Sequence, residues 1–356
     1  MISTVHERPG VYSSYDVSSV VGANTARKTV GVAAIAAQGE TDKVVLLTSY
    51  AQGVEAFGED AENAPGMAQL LKLLFANGAV SVKAVAVTVE NDTPDYAAAF
   101  ARLNKEEDVA IVICDSADAS VHAALRTAVE DAAEARCERI AVVGGTNETV
   151  AQMIAHAQSL NSERMVLIGP DIVTDGGQNC SAVFAAAAVA GVIACSADAS
   201  VPINGAKLEG IADVSHRFSE GDIDLLVRGG VTPIECVGGV CESVRGITTR
   251  TLTGGVADAT WRELTTILVV DDVIPAIRNA LRARFARSKN TAQTRGAIRS
   301  QVVLELEKKM ERELIDSYGD VSVTALESDP SVCLVEFGFT VAHGLNRIYL
   351  TAHIAV

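Results

Sequence analysis

The sequence predicts a mixed α/β protein, in which an α/β unit is inserted into an α+β terminal domain built from both ends of the chain. From residue 90 onward, apolar strands such as DVAIVICD (108–115) and RIAVVGG (139–145) alternate regularly with helices. Strands that are apolar throughout are typical of a parallel sheet covered by helices on both faces. Strands also occur near both termini, so the simplest topology places residues 91–250 inside a domain formed by the rest of the chain.

The segment before this alternation contains two strands, two helices and a third strand. The turn QGETD separates the first two strands, Ser49 and Gly58 bound the first helix, and a Pro and a Gly bound the second. The predicted elements are strands 28–36 and 43–49, helices 49–58 and 64–78, and strand 81–89.

The elements of the central unit follow from the same alternation. They are helix 94–104, strand 108–115, helix 118–135, strand 139–145, helix 147–158, strand 164–170 and an Ala-rich helix at 180–195. A helix closed by glycines and the strand pair TPIECVG and VCESVRGIT complete the unit. The Ala-rich run is too short to cross a bilayer, so we expect a buried helix and no membrane insertion.

The remaining residues predict two long helices and two closing strands. The helices cover 260–287 and 291–317, the second capped by Thr291 or Asn290, and the strands cover 332–342 and 347–356. The predicted domains are an N-terminal extended arm (1–25), a terminal domain (26–90 plus 251–345), the inserted domain (91–250) and a C-terminal strand or arm (346–356). The stretch HERPGVYSSYDV in the first arm has no hydrophobic run close enough to form a hairpin with it.

Charge is distributed unevenly along the chain. The net charge of the 356 residues is −16, and residues 91–250 contribute −12 of it, from 23 acids and 11 bases. This surplus of acid disfavours nucleic-acid binding through the whole surface. Residues 278–299 are the exception, since they contain seven bases and no acid.

Cysteine and leader patterns indicate a cytoplasmic protein. The N-terminus lacks a basic segment followed by an apolar one, so we see no signal peptide. Seven scattered cysteines are expected to be reduced, most of them buried. The closest pair, Cys236 and Cys241, lacks the spacing of a metal or redox motif, so we expect no metal.

No motif for catalysis is present. The chain contains neither a Walker loop, nor G-x-G-x-x-G, nor a G-x-S-x-G elbow. The stretch VVGGTNET (142–149) lacks the Lys of a phosphate loop and is interpreted as an ordinary strand-to-helix turn, with Thr146 or Asn147 as cap. His122 and His156 lie on helices predicted to be at the surface and are expected to be solvated or structural. We therefore predict no enzymatic activity and no cofactor.

Four stretches together resemble the tail sheath protein of contractile phage tails and of related phage-tail-like bacteriocins. They are ERPGVY (7–12), AAAAVAGVIACSADASVPINGAKLEGI (185–211), DIDLLVRGGVTPIECVGGVCESVRGITTRT (222–251) and KNTAQTRGAIRSQVVLELEKKMERELI (289–315). Their order and spacing match the family over nearly the whole chain. The family implies a C-terminal domain completed by N-terminal sequence and an inserted subtilisin-like domain. Gly-Thr-Ser and His-Gly-Thr motifs are missing here, so this domain is expected to be catalytically inactive.

The resemblance also implies a function. Sheath subunits stack as hexameric rings around an inner tail tube and contract to drive the tube through a target cell envelope, without nucleotide. The implied partners are further copies of the chain, the inner tube protein, and baseplate and tail terminator proteins. The implied location is a virion or phage-tail-like particle assembled in the bacterial cytoplasm. The alternatives are a nucleotide- or sugar-binding α/β enzyme, or a tail-assembly or baseplate protein of the same fold.

The resemblance assigns two groups of site residues. Extended arms of one subunit add strands to sheets of its neighbours, which gives as arm contacts Pro9, Gly10, Val11, Tyr12, Tyr15, Val17, Ile348, Tyr349 and Leu350. The acidic inserted domain would face outward and the terminal domain would face the tube. The candidate tube contacts are Arg295, Arg299, Lys308, Lys309 and Arg312, and the alternative is that the last three pair with glutamates of their own helix.

Overall fold

The computed structural model describes residues 28–61, 65–91 and 93–344. The predicted arm contacts between Pro9 and Val17, and between Ile348 and Leu350, lie outside these residues. None of the described helices is long and apolar enough to cross a membrane.

The strands and helices have the following bounds. The strands are β1 Thr29–Ala34, β2 Val45–Leu47, β3 Val82–Ala86, β4 Thr88–Glu90, β5 Thr93–Asp95, β6 Val109–Cys114, β7 Ile140–Gly144, β8 Met165–Gly169, β9 Ile172–Thr174, β10 Asn179–Cys180, β11 Ala206–Lys207, β12 Ile211–Val214, β13 Val231–Val237, β14 Val240–Ser243, β15 Leu252–Thr253, β16 Val256–Ala257, β17 Ile315–Tyr318, β18 Ser322–Leu326, β19 Asp329–Glu336 and β20 Phe339–Val341. The helices are α1 Tyr50–Phe57, α2 Met67–Ala76, α3 Tyr96–Leu103, α4 Ala119–Glu134, α5 Val150–Leu160, α6 Ala182–Cys195, α7 Glu220–Arg228, α8 Leu264–Phe285 and α9 Ala292–Glu311.

A nine-stranded sheet forms the centre of the molecule. Its order is β11-β14-β13-β8-β7-β6-β1-β3-β2. The six strands from β13 to β3 run parallel, and antiparallel strands close both edges. The apolar runs of β1, β6, β7 and β8 are buried on both faces, as the sequence predicts for a parallel sheet.

The sheet pairing differs from the predicted division of the chain in one respect. That division groups residues 26–90 with 251–345, apart from residues 91–250. In the structure β1 pairs with β6 along its length, so the strands of residues 29–86 extend the sheet of the central unit. The physical reason is that β1 is buried on both faces and must therefore be paired on both edges.

Helices cover both faces of this sheet. On one face α6 packs against β6, β7 and β8, and α2 packs over it. Alanines make α6 thin enough to be buried on nearly every side. On the other face α3, α4 and α5 enclose a second apolar core that includes Phe100, Leu125 and Leu160.

Ion pairs attach the helix pair α8–α9 to the central sheet. Arg164, which precedes β8, donates two hydrogen bonds to the Asp271 carboxylate, at 2.8 and 3.0 Å. The neighbouring Asp272 faces another direction and pairs with Lys309 of α9. Adjacent carboxylates on a helix point in different directions. One turn of α8 therefore contacts the central unit through Asp271 and α9 through Asp272.

The end of the chain contains more strands than predicted. Helix α9 ends at Glu311 rather than at residue 317, because Glu313 adopts a left-handed backbone with φ of 57°. Residues 315–318 and 322–326 then form β17 and β18, which the sequence analysis did not predict. Strand β17 pairs with β20, and β18 pairs with β19.

One expectation about the cysteines is wrong. Cys236 and Cys241 lie directly opposite each other on β13 and β14 and form a disulfide, whereas both were expected to be reduced. The reason is the two-residue turn at Gly238 and Gly239, which brings the two strands into this register. The other five cysteines are free.

The packing of β7 against α6 predicts the effect of a single methyl group. A Cβ added at Gly144 would lie 2.2 Å from the carbonyl carbon of Ala182, a backbone atom that cannot move aside. We expect Gly144→Ala to lower the free energy of unfolding by about 3 kcal/mol or more, measured by urea denaturation. Gly296→Ala is the matched control, because nothing lies within 4 Å of its added Cβ. This helical substitution should raise stability by about 1 kcal/mol, and equal effects of the two changes would contradict the packing.

Candidate functional site

Two β-ribbons near the end of the described chain have edges that pair with no other described strand. Among the described residues, β17–β20 and β18–β19 each form a sheet of two strands. Each strand therefore has one edge whose N–H and C=O groups face no neighbouring strand. Val332 and Leu334 of β19 are 37% and 41% exposed, so this ribbon also presents apolar side chains to solvent. A two-stranded ribbon of this kind is marginally stable alone and is suited to accept a further strand.

Helix α9 and the loop before it hold the ribbons in place. The Arg299 guanidinium donates to the Val321 carbonyl at 2.8 Å, directly before β18. The Asn290 amide donates to the carbonyls of Pro330 and Val332 at 2.8 and 3.1 Å. Tyr318 of β17 donates its hydroxyl proton to Glu307. The ribbons therefore project from a support that is connected through α8 to the central sheet.

Most of the predicted tube contacts have a hydrogen-bond or ion-pair partner within the subunit. Arg299 is committed to β18, and Arg295 donates to the Asn290 side chain at 3.0 Å. Lys308 pairs with Glu305 at 2.9 Å, and Lys309 is buried and paired with Asp272. Arg312 is exposed and has no ion-pair or hydrogen-bond partner within the described ranges. The sequence alternative of pairs within one helix therefore accounts for Lys308, whereas Lys309 finds its partner on α8.

The end of α8 carries further free cations. Arg278 pairs with Glu138, and Arg284 donates to Gln301 at 2.6 Å. By contrast Arg282, Arg287 and Lys289 are exposed, and the described part of the chain offers their side chains no hydrogen bond or ion pair. We call these three residues the basic tip. Charge counting along the sequence locates the basic run, but only the fold shows which of its members remain unpaired.

A crevice lies at the carboxyl ends of β7 and β8, where an α/β enzyme would bind its ligand. Its volume is about 590 Å³. Carboxylates of Glu148, Asp171 and Asp222 line it, together with His216. The N–H groups of Asn147 and Ala182 donate to Asp171, while its burial raises the pKa of that carboxyl. Three carboxylates would repel a phosphate, so the crevice does not favour the nucleotide-binding alternative.

The loop before α5 differs from the predicted cap. Neither Thr146 nor Asn147 caps this helix. Thr149 does so, in a reciprocal arrangement with Gln152. Asn147 cannot begin the helix because its φ is 50°, in the left-handed region.

The two central histidines are buried rather than exposed on surface helices. His122 is fully buried and His156 is 7% exposed, because α4 and α5 pack against each other through these rings. The prediction of a solvated position is therefore wrong for both, and a structural position remains. Across the described ranges, no group of three His, Cys, Asp or Glu side chains is placed to hold a metal ion.

Comparisons with known proteins support one family. A family model for the phage tail sheath protein central domain matches residues 90–249, and one for the phage tail sheath C-terminal domain matches residues 256–355. A tail sheath protein of Bacillus phage SP01 is 28% identical over 254 residues, which are 69% of this chain and 43% of the relative. The chain therefore spans less than half the length of that relative.

Solved structures show the same fold. The helical sheath of the anti-feeding prophage in its contracted state has a TM-score of 0.72 and 16% identity, over 98% of this chain and 99% of that one. A sheath tail protein from Desulfitobacterium hafniense has a TM-score of 0.66 and 13% identity, over 93% and 100% of the two chains. The two family models together cover most of the sequence, in the order in which the structure places the corresponding elements. This chain belongs to the phage tail sheath protein family.

Proposed function

We propose that this chain is the structural subunit of a contractile tail sheath, which polymerises as stacked hexameric rings around an inner tube and contracts by rearrangement of its subunits. The observation that carries this proposal is the pair of two-stranded ribbons β17–β20 and β18–β19, whose outer edges pair with no other described strand. An edge strand left open in a soluble subunit is an aggregation hazard unless a strand from another molecule occupies it. The sequences 1–25 and 346–356 supply strand-forming segments of suitable length.

Strand addition explains how subunits stay joined while they move. Each added residue pair contributes main-chain hydrogen bonds, which do not depend on the orientation of the rest of the subunit. An extended arm can therefore act as a flexible connection between rigid bodies. Pro9 and Gly10 would let the first arm bend where it leaves its own subunit, since neither residue continues a regular element.

The basic tip is the surface that we assign to the inner tube. Its three cations have no partner among the described residues, and they lie far along the chain from the acidic residues 91–250. We expect the central unit to face outward, where its net charge keeps the particle soluble. This assignment replaces Arg295, Arg299, Lys308 and Lys309, which are engaged within the subunit, and it retains Arg312 as a further candidate.

Contraction on this proposal uses no catalysis. The energy would come from contacts formed between subunits when a metastable extended sheath rearranges. Baseplate and terminator proteins would hold the two ends of the sheath, and the particle would be a virion or a phage-tail-like particle. The acidic lining of the crevice supports a structural role, since it offers no cradle for a nucleotide.

Deletion of residues 1–20 tests the arm. We expect the shortened chain to remain folded, because the deletion leaves β1, which begins at Thr29, and every later described element intact. Circular dichroism should show an unchanged helix content and a melting temperature within a few degrees of the full chain. Negative-stain microscopy should show tubes for the full chain and none for the deletion. Loss of the fold would mean that the arm packs within its own chain, and tubes formed without it would contradict strand addition.

Reversal of charge at the basic tip tests the contact with the tube. We expect Arg282→Glu combined with Arg287→Glu to prevent sheath from forming on purified inner tubes, because the contact would become repulsive. Self-assembly without tubes should persist, and tube binding by the unchanged chain should weaken as salt rises, because salt screens an attractive contact. Co-sedimentation with tubes is the measurement.

A matched variant separates this effect from a general change of charge. Arg217→Glu with Arg228→Glu alters the net charge equally on the central unit, where each arginine pairs with an aspartate at the surface. Such exposed pairs are worth under about 1 kcal/mol, so the control should fold and bind tubes normally. Equal loss of tube binding in both variants would remove the basic tip from the proposal.

A further inference from the structure

A chain of four polar groups runs through the joint between α4 and α5. The Ser116 carbonyl lies 2.7 Å from Nε2 of His122. Nδ1 of His122 lies 3.0 Å from Nε2 of His156, and the two rings stack with centroids 5.0 Å apart. Nδ1 of His156 lies 2.9 Å from Oε1 of Glu148, which lines the crevice. These hydrogen bonds therefore link two helices to the loops before them, from the partly buried Ser116 carbonyl to the Glu148 carboxylate.

The Ser116 carbonyl determines which atom donates in each of these hydrogen bonds. A carbonyl only accepts, so Nε2 of His122 must carry a proton. A neutral His122 then has an unprotonated Nδ1, so Nε2 of His156 must donate to it. The third bond needs one more proton, between His156 and Glu148. We assign this proton to Nδ1, which makes the contact an ion pair with the Glu148 carboxylate.

Burial and the surrounding charges set how this arrangement responds to acid. Burial lowers the pKa of His122 to about 4. The loop before α4 adds the carboxylate of Asp118, which acts on both rings. The loop after β8 adds Asp171, which acts on Glu148. Cys114 lies beside the Ser116 carbonyl, and its thiol stays neutral because burial raises its pKa to about 12.

We propose that His122, His156 and Glu148 form a proton-dependent clasp that holds α4 against α5 and opens on acidification. In the closed clasp His122 is neutral, His156 is protonated on both nitrogens and Glu148 is ionised. A further proton can bind only at Nδ1 of His122, where it would face the N–H of His156. Two donors would then point at each other between two stacked cations in a buried site, so the bond between the rings would be lost.

The sign of the effect on stability follows from the lowered proton affinity of His122. In the unfolded chain this ring takes up a proton near its ordinary pKa of about 6.5, whereas the folded chain resists protonation down to about pH 4. The contribution of His122 to the stability of the fold is therefore complete above pH 6.5. It falls as the pH drops toward 4 and does not change further below that pH. The folding equilibrium constant should decrease by up to about 300-fold over this window.

Nitrogen NMR of the full chain, labelled at histidine, measures the protonation state and tautomer of His122 and His156. At pH 7 we expect His122 to be neutral with its proton on Nε2, and His156 to be protonated on both nitrogens. In Glu148→Gln the amide can itself donate to Nδ1 of His156, so the three bonds persist while His156 becomes neutral. A neutral His156 in the wild type, the opposite tautomer of His122, or identical His156 signals in the two proteins would overturn the proposal.

Stability measured between pH 7 and 4 provides the second test. His122→Phe should be less stable than the wild type at pH 7. Its stability should then fall less between pH 7 and 4, because the contribution of His122 to that fall is absent. His216→Phe is the matched control, because this exposed histidine in the same crevice contacts Phe218 edge to face and takes no part in the hydrogen bonds between His122, His156 and Glu148. We expect the control to retain the loss in full. An unchanged loss in His122→Phe would overturn the proposal, and both tests use the subunit alone, so they stand whether or not the chain assembles into a sheath.

Discussion

The unpaired edges of the terminal ribbons are the constraint on which the account of this molecule depends. In the central sheet six parallel strands lie inside, and shorter antiparallel strands form both edges. The ribbons β17–β20 and β18–β19 are sheets of two strands, and no further described strand pairs with either of them. Both lie in the last part of the described chain, and their edges are suited to accept a strand from another molecule.

Ion pairs attach the helices that support the ribbons rigidly to the central sheet. The Arg164–Asp271 and Lys309–Asp272 pairs connect the central sheet, α8 and α9 at one level. Partly buried pairs of this kind hold a geometry because breaking one leaves an uncompensated charge. On the proposed sheath function, movement imposed on the ribbons by a neighbouring subunit would therefore be passed to the central unit as a whole.

Sequence patterns predicted the elements that burial controls and missed those that distant partners control. The alternation of apolar strands with helices, and the alanines of α6, follow from burial, which periodicity records. Strands β17 and β18 are short and half exposed, so their pattern is weak. For Lys309 the sequence offered a tube contact or a glutamate of its own helix, and it could not show the actual partner, Asp272, which lies on another helix. The buried pairing of His122 with His156 likewise depends on how α4 meets α5, which neither segment encodes alone.

Amide hydrogen exchange on the free subunit and on assembled tubes tests the central claim most directly. Strand addition predicts that amides on the open edges of β17, β18, β19 and β20 exchange rapidly in the free subunit and become strongly protected in the tube. Amides of β6 and β7 should be protected equally in both states, because their partners lie within the chain. Tubes in which the ribbon edges exchange as fast as in the free subunit would show that something other than added strands joins the copies.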